Sequence, residues 1–298
     1  MKFDPSDIQG ELITYHATDG IELQGFLVKS KRRTGKVVVH IHGLTGSFFK
    51  NATVKRMIPY YLSSGYDFFL INTRGHGTIT PMYRVKGKKV KRIEIGTALE
   101  KFEDCVKDLR GVVNFIRKRG YKKIILQGHS TGCQKVTYYT YKTKGRRISA
   151  VVLLAPADDY NVAKKQLKRK WKYAVNFAKK MLKKKSKELM PTQMINNKRL
   201  SAWRFLSTND LSNIEARVFN YELKNLREFS GMTLPVMVIF GTKEQYKTKP
   251  VRIYLQKLER LTRSKKFLAV EIPDANHDFR KHEAETAKAI IEWLNKVV

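Results

Sequence analysis

The chain has 298 residues, 42% of them hydrophobic, and its 60 Lys and Arg against 26 Asp and Glu leave a formal net charge of +34. This composition suits one large or two small domains with a buried core, and it excludes a membrane-spanning helix because no apolar run approaches roughly 18 residues. Two cysteines, Cys105 and Cys133, exclude a disulfide framework, and the absence of a secretory leader predicts a cytoplasmic protein.

Short apolar runs alternate with amphipathic segments along most of the chain. Strands are predicted at residues 10–17, 21–28, 36–43, 67–75, 121–127, 148–157, 234–241 and 266–273. Helices are predicted at residues 54–65, 97–120, 133–142, 251–261 and 283–297. The first two strands are expected to form an antiparallel hairpin, and the polar, basic residues 76–96 are expected to form a loop. Such alternation is typical of α/β proteins with a parallel sheet.

The positive charge has three explanations: binding to nucleic acid, attraction to anionic membranes or substrates, or a lysine-rich surface without a dedicated partner. The sequence has no aromatic RNA-binding platform, no zinc-ligand spacing and no convincing recognition helix. We therefore expect no specific nucleic-acid partner, and the other two explanations stay open.

The motif GHSTG, Gly128 to Gly132, follows a predicted buried strand and precedes a predicted helix. This is the context of a nucleophile elbow, in which a strained turn presents a serine, here Ser130. Gly128 and Gly132 are required because side chains there would collide with neighbouring elements, and His129 completes the turn. The helix N-terminus directs the Thr131 N–H at a developing oxyanion.

A second backbone donor is expected from the loop after the strand at residues 36–43. The motif HGLTG, which contains His42 and Gly43, lies there. We assign the second oxyanion donor to the N–H of Leu44, with Thr45 as the neighbouring alternative.

The general base is predicted from chain order, which in this kind of site is serine, acid, histidine. His277 lies after the last predicted strand and before the final helix, whereas His42, His76 and His129 precede or flank the serine. His282, one turn into that helix, is the weaker competitor. The acid should follow the preceding strand, where Glu244 is the carboxylate available. Asp274 and Asp278 are interpreted as loop formers.

Residues 158–230 interrupt the alternation and are predicted to form a basic, helical cap over a core of residues 1–157 and 231–298. Within this insertion, residues 161–190 carry 12 Lys and Arg and a single acid, Glu188. An alternative is that residues 164–187 lie on an anionic membrane surface. Trp171 and Trp203 are candidates to line a pocket, although a place in the cap's own core is the simpler interpretation.

With these residues identified, the whole chain resembles an α/β-hydrolase. The resemblance rests on the motifs above and on NTRGHG (residues 72–77) and ANHDF (residues 275–279). GHSTGCQ, MPTQMINNKRLSAWRFLS and EQY resemble a largely uncharacterised group that includes fungal siderophore (fusarinine-type) esterases. The sequence departs from that group in its diluted acidic stretch TNDLSNIEA and in Glu244, where aspartate is usual.

The resemblance implies an α/β-hydrolase fold, with a mostly parallel eight-stranded sheet flanked by helices and a helical cap inserted after the sixth strand. It also implies ester hydrolysis through an acyl-enzyme on Ser130, with His277 as base and no metal or organic cofactor. The expected substrate is a small ester, anionic or bulky and polar. Alternatives are a lipase, thioesterase or peptidase with the same triad, or a non-catalytic basic binding protein on a hydrolase scaffold.

Overall fold

An eight-stranded sheet crosses the molecule in the computed structural model, which describes residues 8–50, 52–184 and 188–298. The strands of the chain are β1 (Glu11–His16), β2 (Glu22–Val28), β3 (Lys36–Ile41), β4 (Tyr66–Ile71), β5 (Pro81–Lys86), β6 (Lys89–Glu94), β7 (Lys123–His129), β8 (Ala150–Leu154), β9 (Val236–Gly241) and β10 (Phe267–Ile272). Their order in the main sheet is β1-β2-β4-β3-β7-β8-β9-β10. Pairing is parallel from β4 to β10 and antiparallel for β1–β2 and β2–β4. The predicted fold class is confirmed.

Helices cover the sheet and fill the insertion. They are α1 (Ala52–Ser63), α2 (Cys105–Lys118), α3 (Thr131–Thr143), α4 (Asp159–Leu167), α5 (Lys170–Lys183), α6 (Ala202–Asn209), α7 (Glu215–Val218), α8 (Arg227–Ser230), α9 (Val251–Leu261) and α10 (Glu283–Val297). The prediction that one helix covers residues 97–120 is wrong at its start, because α2 begins at Cys105. Residues 96–100 instead form backbone hydrogen bonds with the preceding loop. For example, the Ala98 N–H donates to the Thr78 carbonyl at 2.8 Å.

The core lies on both faces of the central strands, which explains their nearly continuous apolar sequences. In β3, Val37, Val38, Val39 and Ile41 are fully buried, and the same holds for every residue of β8. Cys105 and Cys133 are both buried as free thiols in the same core.

Residues 76–96 do not form the expected loop. They contain the antiparallel hairpin of β5 and β6, which is separate from the main sheet. Gly87, with φ 58°, sits in the two-residue turn where that backbone conformation is needed. The sequence pattern does not reveal these strands, because Arg84, Lys86, Lys89 and Lys91 occupy four of the six positions on the face that contains Met82 and Ile93. The pattern therefore lacks the apolar side by which a half-buried strand is recognised.

The cap segment (residues 158–230) follows β8, the sixth strand of the main sheet in chain order, and contains α4 to α8. It has a small apolar cluster of its own that includes Leu167, Ala174 and Phe205. Val218 and Phe229, near its end, pack into the main core instead. The separately packed part is therefore the first two thirds of the segment, and the domain division at residues 158 and 230 stays a prediction. In the described ranges, no helix is both long and apolar enough to cross a membrane.

Candidate active site

Ser130 lies in the tight turn between β7 and α3. Its backbone has φ 54° and ψ −126°, a conformation that is strained for any residue other than glycine and that is typical of functional sites. A Cβ at Gly128 would lie 2.6 Å from the Gly132 carbonyl oxygen, and one at Gly132 would lie 2.3 Å from the Ile41 carbonyl oxygen. The two glycines therefore allow the turn to close against β3.

The loop after β3 lies directly beside Ser130. A Cβ at Gly43 would be 2.9 Å from Ser130 Cβ, so glycine permits this approach. Within the described part of the chain, the N–H groups of Leu44 and Thr131 have no hydrogen-bond partner, whereas the Thr45 N–H already donates to a threonine hydroxyl at 3.0 Å. Leu44 and Thr131 also line the cavity described below. Of the two alternatives after β3, Leu44 is the one whose N–H is available to an oxyanion.

His277 and Glu244 come together from the loops after β10 and β9. His277 Nδ1 lies 2.9 and 2.8 Å from the two carboxylate oxygens of Glu244. Because an ionised carboxylate can only accept, Nδ1 carries the proton and Nε2 is left as the acceptor of the neutral ring. Glu244 is 2% exposed and also accepts the Tyr246 N–H at 2.7 Å. This is the arrangement of an oriented general base.

Ser130 and His277 line the same cavity. Among the described residues, no hydrogen bond joins Ser130 Oγ to His277 Nε2, a contact that in many enzymes tightens only when substrate binds. His282 is placed differently: it precedes α10, lies 3.2 Å from Glu285 and is not part of the cavity wall. Asp274 is exposed and pairs with Lys243 at 2.8 Å, away from His277 Nδ1.

His129 supports the loop that carries His277. Its Nε2 lies 2.9 Å from the His277 carbonyl oxygen and the two rings are 4.9 Å apart. Burial, together with the nearby His277, lowers the pKa of His129 to about 4, so the ring is neutral at physiological pH. Since its Nε2–H is committed to the carbonyl, His129 positions the loop.

A cavity of about 1000 Å³ lies between the carboxyl ends of the central strands and the cap segment. Its core side holds Ser130 and His277, and its cap side is apolar at Leu167, Ile195 and Phe205. Its charged lining residues are Lys50, Arg56, Lys198, Arg204, Arg280, Asp159 and Asp278. Cations therefore outnumber acids around the space in front of Ser130.

Neither tryptophan of the cap segment lies among the residues that form this wall. Trp171 Nε1–H donates to Asn209 Oδ1 at 2.9 Å, and Trp203 Nε1–H donates to the Leu99 carbonyl at 3.1 Å. Trp171 therefore links two parts of the cap segment, and Trp203 links the cap segment to the core.

A buried ionic chain, which we define as Arg204, Glu100, Lys135, Thr73 and His42, joins the cap segment to the loop after β3. Arg204 of α6 lies 3.5 Å from Glu100, and Glu100 lies 2.8 Å from Lys135 Nζ of α3. Lys135 Nζ donates to Thr73 Oγ1 at 3.2 Å, and the Thr73 backbone N–H donates to His42 Nε2 at 3.2 Å. Each of the five residues is at most 2% exposed.

The buried ionic chain ends at His42, which contacts the peptide group that carries the Leu44 N–H. His42 Nδ1–H donates to the Gly43 carbonyl oxygen at 2.8 Å, and the Gly46 N–H donates to the same oxygen at 3.1 Å. The C=O and N–H of a trans peptide point in opposite directions, so fixing the Gly43 oxygen also sets the direction of the Leu44 N–H. Burial, with Lys135 nearby, lowers the pKa of His42 to about 3 and keeps its ring neutral.

Electrostatics holds the carboxylate in the middle of this chain ionised. Burial alone would raise the pKa of Glu100, but Lys135 and Arg204 outweigh burial and hold that pKa below its usual range. Residues next to Glu100 make two further links to the cap segment and the loop. The Ser201 N–H donates to the Ala98 carbonyl at 2.9 Å, and Thr97 Oγ1 accepts the Thr45 N–H at 3.0 Å.

Asp159, at the start of α4, is a partly buried carboxyl in the cavity wall. Its Oδ2 accepts from Gln134 Nε2 at 2.7 Å. Burial, with the carboxylate of Glu215 nearby, raises the pKa of Asp159 to about 7. Near neutral pH this side chain therefore changes between a hydrogen-bond donor and an acceptor facing the cavity.

The sequence prediction missed the ionic chain and Asp159. One signal was available: Lys135 is the one charged residue in CQKVTYYTY, residues 133–141, which gives this helix no charged outer side. A lysine buried in such a helix requires a partner, and the structure buries residues 131–140. Its partner Glu100 and the cap residue Arg204 carry no comparable signal. No group of His, Cys, Asp and Glu side chains suited to a metal ion occurs in the part of the chain that the structure describes.

Solved structures share this fold over nearly their whole length. Siderophore hydrolase EstB from Aspergillus fumigatus has a TM-score of 0.70 and 16% identity, covering 99% of this chain and 100% of that chain. Est1E from Butyrivibrio proteoclasticus, solved with bound ferulic acid, has a TM-score of 0.65 and 15% identity, covering 96% and 99%. Esterase PF2001 from Pyrococcus furiosus has a TM-score of 0.61 and 16% identity, covering 99% and 95%. The predicted α/β-hydrolase fold is confirmed.

No curated protein matches the chain significantly by sequence. A family model described as "Protein of unknown function (DUF1749)" matches residues 95–298, which include α3, the cap segment and the loops that carry Glu244 and His277. The chain therefore belongs to the DUF1749 family.

Proposed function

We propose that the protein is a serine hydrolase that cleaves carboxylic esters, with Ser130 as nucleophile, His277 as general base and Glu244 as the acid that orients His277. The observation that carries the proposal is the His277–Glu244 contact of 2.8 Å beside a strained Ser130 in one cavity. The shared fold with proteins named as esterases and as a siderophore hydrolase supports it. The fold alone is compatible with many activities, so the site residues carry the argument.

The reaction proceeds through an acyl-enzyme. Ser130 Oγ attacks the ester carbonyl carbon while His277 Nε2 takes its proton, and the carbonyl oxygen becomes an oxyanion held by the N–H groups of Leu44 and Thr131. His277 then gives the proton to the leaving alcohol oxygen, and the C–O bond of the ester breaks. Water attacks the acyl-enzyme in the same way, which releases the acid and restores Ser130.

The charge of the cavity favours an anionic ester. Lys50, Lys198 and Arg280 line the cavity, are exposed and have no ion-pair partner among the described residues. A cavity of about 1000 Å³ accommodates a bulky molecule, and low-dielectric walls concentrate the field of the cations. The cap segment shapes this space and shields it from bulk solvent, while leaving room for the one water molecule that hydrolyses the acyl-enzyme.

A fluorophosphonate probe tests the proposed nucleophile. We expect it to label the wild-type protein, and Ser130→Ala to abolish the labelling. Ser47→Ala is the matched control because Ser47 also lines the cavity but its hydroxyl is buried without a partner. Labelling that survives in Ser130→Ala would refute the proposed nucleophile.

A substrate panel tests the proposed reaction and charge preference. It compares short-chain, long-chain and aryl esters and acyl thioesters, each in a neutral and a carboxylate-bearing form. We expect the carboxylate-bearing esters to have the highest kcat/KM, with a preference that weakens in high salt. Faster turnover of thioesters, or of neutral long-chain esters, would instead assign the site to a thioesterase or a lipase.

A further inference from the structure

The hairpin formed by β5 and β6 carries an unbalanced positive charge. Residues 81–94 contain six Lys and Arg and one acid, Glu94. The structure describes the whole hairpin, and of its cations Arg84 alone has an ion-pair partner there, Asp19 at 3.8 Å. The exposed cations without such a partner are Lys86, Lys88, Lys89, Lys91 and Arg92.

The register of the hairpin places like charges opposite each other. Arg84 pairs with Lys91 and Lys86 pairs with Lys89 across the two strands. Directly opposed like charges destabilise a strand pair, and an isolated two-stranded hairpin has little stability to lose. The hairpin persists because it is docked on the core, through the buried Met82 and through the Val85 N–H, which donates to the Gly20 carbonyl at 2.8 Å. Local stability therefore does not account for these charges.

The other face of the hairpin carries exposed apolar side chains beside Arg92 and Glu94. Val85 pairs with Val90 and Tyr83 pairs with Arg92 on that face, and 62% of Val90 and 49% of Tyr83 are accessible to solvent. Lysines by themselves would protect an exposed strand edge from aggregation, but exposed apolar side chains beside the turn do the opposite. Cations and exposed apolar side chains together suit a partner that is both anionic and apolar.

We propose that this hairpin docks the protein, turn first, on an anionic lipid surface. Val90 contacts the boundary of the acyl chains, Tyr83 lies at the level of the headgroups, and the lysines on both sides of the turn bind lipid phosphates and carboxylates. Nucleic acid fits less well because valine neither stacks on bases nor forms hydrogen bonds with them. The observations therefore favour a bilayer.

The hairpin also lies on the side of the sheet where the cavity opens. It follows the carboxyl end of β4, and the Gly77 N–H of the intervening loop donates to the Gly46 carbonyl of the loop after β3 at 3.2 Å. Docking through the turn therefore turns the cavity side of the molecule toward the lipid. The basic stretch at residues 164–187, considered above for this role, is less suitable because most apolar side chains of α5, including Ala174, Val175 and Ala178, pack in the cap cluster. Only Tyr173 and Leu182 of the apolar side chains of α5 are exposed.

Vesicle co-sedimentation tests the proposal without any need for catalysis. We expect the wild-type protein to bind phosphatidylcholine vesicles that contain phosphatidylserine, to bind vesicles of phosphatidylcholine alone weakly, and to dissociate as salt is raised. Absence of binding to the anionic vesicles would overturn the proposal. Because hydrolysis is not measured, this outcome is independent of whether the protein is an esterase.

The decisive variant is the double substitution Lys89→Glu and Lys91→Glu. Each new carboxylate faces a cation, Lys86 or Arg84, so hairpin folding is favoured and Tm should be unchanged or higher. Binding to anionic vesicles should nevertheless fall by roughly 30-fold or more, because two lysines are lost. Val90→Ser should weaken binding without a change of charge, and unchanged binding in this variant would overturn the turn-first orientation.

The matched control is Lys122→Glu with Lys123→Glu, which makes the same change in net charge. These residues lie at the amino end of β7, on the side of the sheet opposite to the carboxyl ends of the strands and the cavity. Lys123 pairs with Lys36 across strands, so this control also creates an opposite-charge pair. We expect it to keep most of the vesicle binding. If the control lost as much vesicle binding as the hairpin variant, net charge alone would explain the binding and the proposal would be overturned. Loss of single-stranded RNA binding with unchanged vesicle binding in the hairpin variant would overturn it in favour of nucleic acid.

Discussion

The cations of the buried ionic chain and those of the β5–β6 hairpin lie in opposite environments. Lys135 and Arg204 are at most 2% exposed, and each lies within 3.5 Å of a carboxylate. Lys86, Lys88 and Lys89 are exposed, have no ion-pair partner in the described ranges, and partly face one another. The first pair stabilises a particular arrangement of the site, whereas the second group is available to solvent or a partner. The net charge of +34 therefore includes cations with two different roles, buried and paired in the site or exposed on the hairpin.

The largest expected effect comes from removing a buried cation. Lys135→Met leaves the buried Glu100 short of one partner and should lower the free energy of unfolding by about 3–5 kcal/mol. Lys88→Met, in the exposed turn of the hairpin, should change it by about 0.5 kcal/mol or less. Urea denaturation of both variants measures the difference. Similar losses in the two would show that burial does not separate these groups of lysines.

A smaller effect on turnover is expected from Thr73→Val, which removes the hydroxyl that joins Lys135 to the His42 end of the chain. The Thr73 backbone N–H still donates to His42, so the fold should be retained. We expect kcat to fall roughly tenfold with KM little changed, because the Leu44 N–H is less well held for the oxyanion. Steady-state kinetics on the best ester of the panel measures this. Thr73→Ser keeps the hydroxyl and should restore kcat; a loss of equal size in both would argue against a role for that hydroxyl.

The smallest expected effect concerns Asp159, a partly buried acid without an ion-pair partner in the described part of the chain. Burial raises the pKa of Asp159 to about 7 from the 3.8 of an unperturbed aspartate. The folded protein therefore binds this proton more tightly than the unfolded chain. Stability that depends on the proton is fully present below about pH 4 and is lost as pH rises through about 7.

Because asparagine is never charged, the Tm of Asp159→Asn relative to that of the wild type should increase as pH rises from about 4 to 7. At about pH 8 the variant should be more stable by a few degrees. Thermal unfolding of both proteins across this range measures the gain. A Tm difference that does not change with pH would contradict the assignment of a raised pKa to Asp159.

The positions of Ser130, Glu244 and His277 could be predicted because each follows a strand. Carboxyl ends of parallel strands meet at one edge of a sheet, so chain order alone brings such residues together. The ionic chain could not be predicted, because Arg204 meets Glu100 only through the docking of α6 on residues 96–100. The hairpin was missed for a local reason, since Arg84 and Lys86 occupy positions where an alternating strand normally shows apolar residues.

The fastening of the cap segment has a consequence for how molecules enter. Ser201 and Trp203 hydrogen-bond to the backbone at Ala98 and Leu99, and the neighbouring Thr97 and Glu100 help to hold the loop after β3. Movement of the cap segment away from these residues would break contacts that also support the loop carrying the Leu44 N–H. We therefore expect the cap segment to stay in place, so that the size and charge of the cavity entrance would decide which molecules reach Ser130.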